Sequence, residues 1–241
     1  MSVTSRYREA WEGFWREAPD EQGAVFWDAE PALTVARHLA LFEPHLTEPG
    51  LPLVDVGCGN GTQTRFLADR FGQVLGADLS AAALDHARAA DPEGRAAYRE
   101  LDASDKSAAQ TLHAELGDAN IYMRGVLHQC EPDDRRPLAE TIATLLGGRG
   151  RAFIVEPSQA AGAILKELAT SPSGPPRKLA PVLRHGIVPG AVSDEAVPGI
   201  LTEAGLTVLT SGTLPLVTTE HTPDGTRIEL PSVWYVVGRA G

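Results

Sequence analysis

The stretch Val54-Asp55-Val56-Gly57-Cys58-Gly59-Asn60-Gly61 constrains this chain more than any other. An apolar run from Leu53 to Val56 leads into glycines at alternate positions, and a helical pattern carrying Phe66, Leu67 and Phe71 follows until Gly72. Glycine accepts left-handed backbone, so such a run turns a strand into a helix within a few residues and bares main-chain N–H groups at the helix start. A second strand-helix unit follows at once. Gln73 to Asp78 reads as a strand, and Ser80 supplies the N-cap of a helix containing Leu84 and Ala87.

The same alternation continues downstream. Ala96 to Leu101, Ala119 to Met123 and Arg151 to Val155 read as strands three to five, and the helix before strand five sets Leu138, Ile142, Leu145 and Leu146 on one face before Gly147-Gly148 ends it. Strands separated by helices predict an α/β fold around a parallel sheet. Leu206 to Leu209 and Ser232 to Val237 add two more strands, with Pro223-Asp224-Gly225 between them as a turn. Pro137 and Pro198 each fall a few residues into an expected helix and leave those helix starts open.

Asp78 closes the second strand, where a carboxylate can accept two ribose hydroxyl hydrogens. With Asp55, Gly57, Gly59 and Gly61 in register, the segment resembles the class I S-adenosylmethionine-dependent methyltransferases, whose first motif is an acidic residue followed by Gly-x-Gly-x-Gly. The resemblance extends to Asp78 and the adjoining Leu79 at the ribose, and to Asp102-Ala103 after the third strand, near the adenine. It implies a Rossmann-like, seven-stranded, mostly parallel sheet with an antiparallel C-terminal strand, helices on both faces and a helical N-terminal lid. It also implies S-adenosylmethionine as cofactor and S-adenosylhomocysteine as product. On this reading residues 1–49 form the lid segment, and residues 50–241 the catalytic domain, with a substrate-covering insertion at about 157–190.

Composition narrows the partners. Among 241 residues, 32 Asp+Glu against 21 Lys+Arg give a net charge of −11, which repels a phosphate backbone, and no basic stripe with interleaved aromatics offsets it. Nucleic acid is therefore not expected. The charged N-terminus lacks the apolar stretch of a signal peptide, and no apolar run reaches spanning length, so no membrane is expected either. Two cysteines, Cys58 and Cys130, make no disulfide framework and fit a reducing cytoplasm. Neither has a partner at metal-ligand spacing, so no metal is expected.

In an open parallel sheet the ligand lies outside the carboxyl ends of the strands, which brings the segment after strand four to the reacting group. His128 there is the candidate base, with Gln129 to orient it, and Arg124 the candidate partner of the cofactor's carboxylate or of a substrate anion. A packing histidine and a solvated arginine are the competing readings. The Asn/Asp-Pro-Pro-aromatic motif of nucleic-acid amino methyltransferases is absent from this segment. Trp11 and Trp15, with Tyr7 and Phe14, share a helix face and, with Phe26 and Trp27, suit a lid as well as ordinary packing. Ser171 to Gly190 concentrates Arg177, Lys178, Arg184 and His185, which suits an anionic substrate as well as a solvated loop.

The expected function is methyl transfer to a small-molecule acceptor in secondary or intermediary metabolism, by a monomer or homodimer. Three rivals stand beside it. One is alkyl transfer or cyclisation of the same cofactor, releasing methylthioadenosine. Another is an NAD-dependent oxidoreductase, whose fold prefers Gly-x-Gly-x-x-Gly, so that the third glycine here falls one position early. The last is a binder without turnover, which would need no lid.

Overall fold

The computed structural model describes residues 3–172, 174–187, 192–222 and 224–239. The chain opens with α1 (Val3–Glu17) and α2 (Val35–Phe42), then enters β1 (Leu53–Val56), α3 (Thr62–Ala68), β2 (Val74–Asp78), α4 (Ala81–Ala89) and β3 (Ala97–Glu100). Next come α5 (Lys106–Leu116), β4 (Asn120–Arg124), α6 (Pro132–Leu146) and β5 (Ala152–Pro157). The last part carries α7 (Gln159–Ala169), α8 (Ala180–Arg184), α9 (Ala196–Glu203), β6 (Leu206–Thr213), β7 (Leu216–His221), β8 (Arg227–Leu230) and β9 (Ser232–Arg239).

Seven strands join in the order β3-β2-β1-β4-β5-β9-β6, with β1 to β5 parallel and β9 antiparallel to both neighbours. The expected sheet is thus present with its antiparallel strand. β1 is buried throughout, and alternate residues serve the two sides: Leu53 joins the core containing Phe42, Tyr122 and Phe153, while Val54 and Val56 join the one containing Ile142, Leu145 and Leu146. The connection order reverses between β1 and β4, which opens a crevice at their carboxyl ends.

Local signals account for the starts of α4, α5 and α6. The Ser80 hydroxyl accepts the Ala83 N–H at 3.1 Å to start α4, and Asp105 accepts the Ser107 and Ala108 N–H groups to start α5. Pro132 occupies the first turn of α6, beside Asp133 and Asp134, whose charges suit the positive end of the helix dipole. Pro137 lies inside that helix rather than at its start, and Pro198 is the third residue of α9.

Three features differ from the sequence reading. β7 and β8 form a separate two-stranded sheet where only a turn was expected, and of that turn Pro223 lies outside the described residues. The Pro/Gly-rich insertion carries two helices, α7 and α8, while Ser173 and residues 188–191 lie outside the described residues. Only part of the 1–49 segment faces the crevice: α2 instead buries Val35, His38, Leu39 and Phe42 against the sheet. Among the described residues no helix is long and apolar enough to cross a membrane.

Candidate active site

The glycine loop is held open by its own backbone. Gly57, Gly59 and Gly61 have φ of +74°, +54° and +72°, a region that costs other residues about 1–2 kcal/mol. Space forbids a side chain as firmly: a Cβ on Gly57 would lie 2.4 Å from Val126 Cγ2, and one on Gly59 would lie 2.9 Å from the Trp15 ring. The Gly57 and Cys58 N–H groups donate to the Ala77 carbonyl at 2.8 and 3.1 Å, which fastens the loop to the end of β2.

Asp78 stands beside it. Its Oδ2 accepts the Gly59 N–H at 2.8 Å and its Oδ1 the Ser80 N–H at 3.0 Å, so each oxygen keeps a lone pair for a further donor. Burial raises its pKa against these hydrogen bonds. Asp55, one strand over, accepts the Thr64 hydroxyl at 2.6 Å, and burial pushes its carboxyl up to about 7. Asp102 takes the Ser104 N–H and hydroxyl on one oxygen and Arg8 at 3.0 Å on the other; burial is outweighed, and its pKa is lowered.

α1 is lashed across these ends. Arg8 bridges Glu100, Asp102 and the Leu79 carbonyl, and Glu12 accepts the Ser80 hydroxyl at 2.7 Å and the Ala82 N–H at 3.1 Å. Trp11 meets Trp27 edge-on, with ring centroids 5.4 Å apart. Asp28 is buried and accepts from the Gly23 N–H and the Asn60 side chain, joining the segment after α1 to the glycine loop. Neither Arg8, Glu12 nor Asp28 was singled out from the sequence, because their partners are more than 30 residues away in most cases and no local spacing marks them.

After β4 the guanidinium of Arg124 donates through Nη2 to the Trp27 carbonyl at 2.8 Å, while its Nε is buried without a partner. His128 Nδ1 contacts Glu156 Oε2 at 2.8 Å, and its Nε2 faces the Gln129 amide at 2.8 Å. Glu156, at the end of β5, also accepts the N–H groups of Val126, Leu127 and His128. Sequence reading missed it, since a single glutamate before Pro157 carries no motif. Below, His38 contacts the Tyr122 hydroxyl at 2.8 Å, and burial with the nearby Arg124 and Arg37 charges lowers its pKa to about 3.

One cavity of about 550 Å³ joins these groups, within the ~300–1,000 Å³ range typical of small-molecule sites. Asp55, Gly57, Gly59, Asp78, Leu79, Asp102, Ala103, Arg124 and His128 line it, as do Trp11, Trp15 and Trp27. Gly61 does not; a Cβ there would press on Ala87 and Tyr98 at the start of α3. Farther along, the wall is mostly apolar, with Leu165 from α7, Val182 and Leu183 from α8, Leu216 from β7 and Leu230 from β8, and Lys166 of α7 adds a cation to it. Arg177 and Arg184, expected as substrate contacts, are outside the lining; Arg184 lies 3.6 Å from Glu17 instead. Lys178 donates to the Gly23 and Thr219 carbonyls, tying the start of α8 to the segment after α1 and to β7.

These residues fit the cofactor that the motif implies. Glycines leave bare main chain where a Cβ would intrude, Asp78 keeps acceptor capacity for a diol, and the Arg124 guanidinium lines the cavity with a charge that suits a carboxylate.

A family model described as a methyltransferase domain matches residues 53–150. Among solved structures, a SAM-dependent methyltransferase from Anabaena variabilis is 30% identical with a TM-score of 0.88, covering 100% of this chain and 96% of that one. A protein described for conversion of a disulfide bond into a thioacetal group during echinomycin biosynthesis is 19% identical, TM-score 0.66, over 96% and 92% of the two chains. Magnesium protoporphyrin IX methyltransferase from Synechocystis, solved with SAH, is 17% identical, TM-score 0.57, over 86% and 82%. No curated protein matches the sequence.

Proposed function

Because this chain belongs to the class I S-adenosylmethionine-dependent methyltransferases, an enzyme family that displaces the dinucleotide reading of the glycine loop, we propose that it methylates a small molecule seated in the apolar half of the cavity. One observation carries the reading: a single cavity is lined both by the glycine loop with Asp78 and by His128 and an apolar wall.

The cofactor supplies an electrophilic methyl group on a sulfonium, and in-line displacement requires an acceptor held collinear behind it with water kept out. Asp78 would accept the ribose hydroxyls beside Leu79, Asp102 and Ala103 would border the base, and the Arg124 guanidinium would meet the amino-acid carboxylate. Trp11, Trp15 and Trp27 exclude water. His128 takes the proton of a protic acceptor. The leucine and valine wall suits an acceptor with an apolar body, and Lys166 on the same wall suits an anionic group carried on that body. A covered cavity of this size favours a metabolite over a nucleic acid, and the free thiols Cys58 and Cys130 suit the cytoplasm.

The test uses cofactor labelled in the methyl group and a panel of apolar hydroxyl compounds, with products separated. Label leaving in an acceptor alongside S-adenosylhomocysteine is the expected outcome. Label retained in methylthioadenosine would assign the site to alkyl transfer or cyclisation instead.

A further inference from the structure

Four side chains from three distant parts of the chain meet in one line. The Tyr7 hydroxyl donates to Gln129 Oε1 at 2.8 Å, the Gln129 amide contacts His128 Nε2 at 2.8 Å, and His128 Nδ1 contacts Glu156 Oε2 at 2.8 Å. The proton positions follow from what each partner can do. Glu156 already accepts three backbone N–H groups, so it meets the ring as an acceptor and Nδ1 must carry the hydrogen. Gln129 spends its oxygen on Tyr7, so its N–H groups face Nε2, which must then offer a lone pair. Every hydrogen bond in the line points the same way, and the ring is the neutral tautomer that a general base requires.

From this geometry we propose that Glu156 is the positioning residue that fixes His128 as the Nδ1–H tautomer. Gln129, held by Tyr7 of α1, is the shutter over the Nε2 lone pair that an acceptor hydroxyl must displace. The proposal rests on the reading of His128 as proton acceptor. It adds a consequence for the lid: Tyr7 ties the shutter to the same helix whose Arg8 and Glu12 brace the cofactor end of the cavity. The groups facing this line are Glu156 from β5, Tyr7 from α1, and Cys130, whose thiol burial raises to about 12. Burial likewise raises the Tyr7 pKa, so its hydroxyl keeps the hydrogen that it donates.

Nitrogen-15 spectra of the histidine rings, with the His128 signals assigned by their loss in His128→Gln, read the tautomer without any acceptor. In the native protein saturated with S-adenosylhomocysteine, Nδ1 is expected protonated and Nε2 bare. In Glu156→Gln the new amide faces Nδ1 and drives the hydrogen to Nε2. A native ring protonated on Nε2, or an unmoved tautomer in folded Glu156→Gln, overturns the role of Glu156. If that variant fails to fold, the native spectrum still decides the tautomer.

The shutter is read with diethyl pyrocarbonate, which acylates a histidine nitrogen bearing a free lone pair. Acylation of His128, mapped by mass spectrometry, is expected to be about tenfold faster in Gln129→Ala and Tyr7→Phe, the factor matching the net worth of one hydrogen bond. Equal rates in native and variant proteins overturn it. Calorimetry with S-adenosylhomocysteine separates the two claims: failure to bind sinks the proposed function, whereas binding with the wrong tautomer sinks only this relay.

Discussion

Gly59 shows how little freedom the site leaves a single residue. Its φ of +54° acts together with the Trp15 ring, which would stand 2.9 Å from any Cβ added there, whereas Gly50 has open space and no positive φ. Gly59→Ala is therefore expected to lose at least about 1–2 kcal/mol of stability, a fall in Tm of roughly 2–8 °C, and to weaken S-adenosylhomocysteine binding, while Gly50→Ala changes neither. Calorimetry on both variants checks this, and equal behaviour would refute the steric account. Asp55 makes a second prediction. Its folded pKa is raised to about 7 by burial, above the ordinary carboxylate value, so its contribution is fully present below that ordinary value and is lost as pH rises through about 7. Asp55→Asn should thus gain stability relative to the native protein between about pH 4 and 7, by on the order of 1 kcal/mol per pH unit. Denaturant titrations along that range should show the two curves diverging upward; parallel curves would contradict the raised pKa.

Elements that depend on neighbours in sequence were the legible ones. The β1 loop, the Ser80 cap and the Leu138–Leu146 face write their structure locally, and five parallel strands with their helices followed from them. β3 was weakly marked because, at the sheet edge, its residues are largely exposed and no apolar run forms. The β7–β8 hairpin was not found: Leu216, Val217, Thr218 and Ile228 are buried, and β7 is tied to Phe26 and Lys178, contacts that no spacing in either short strand announces. The basic cluster was legible only as charge, since charge in sequence says nothing of direction; Lys178 turns to backbone carbonyls and Arg184 to Glu17. α1 offers the test at this scale. Arg8 joins it to Leu79, Glu100 and Asp102 with a side chain about one-third exposed, so solvent screens much of the pairing. Arg8→Ala is expected to raise the S-adenosylhomocysteine dissociation rate severalfold, equivalent to about 0.5–1 kcal/mol, with little change in association. Stopped-flow tryptophan fluorescence, drawing on Trp11, Trp15 and Trp27, measures both rates; an unchanged dissociation rate would show that the strap does not close the site.

At the scale of the whole molecule the cavity is where the chain's separate parts converge. Its lining draws on α1, the loops after β1, β2, β3 and β4, the helical insertion α7 to α8, and the β7–β8 hairpin, so no one segment makes the site. A ligand there bridges elements that unfolding would scatter, and its binding free energy becomes folding free energy. S-adenosylhomocysteine at about 100 times its Kd should add roughly 2.7 kcal/mol and raise Tm by roughly 5–10 °C for a chain of this size. NAD⁺ should leave Tm unmoved, because the third glycine of the loop serves the α3 start against Ala87 and Tyr98 rather than a longer pyrophosphate turn. Asp78→Ala should lower the unliganded Tm, since the Gly59 and Ser80 N–H groups lose their acceptor, and should also erase most of the ligand-induced shift measured from that lower baseline. If Asp78→Ala instead kept the full shift, the ribose contact would have to lie elsewhere in the crevice, and the pairing of a glycine loop with an acid at the end of the next strand would no longer explain how this cavity holds its cofactor.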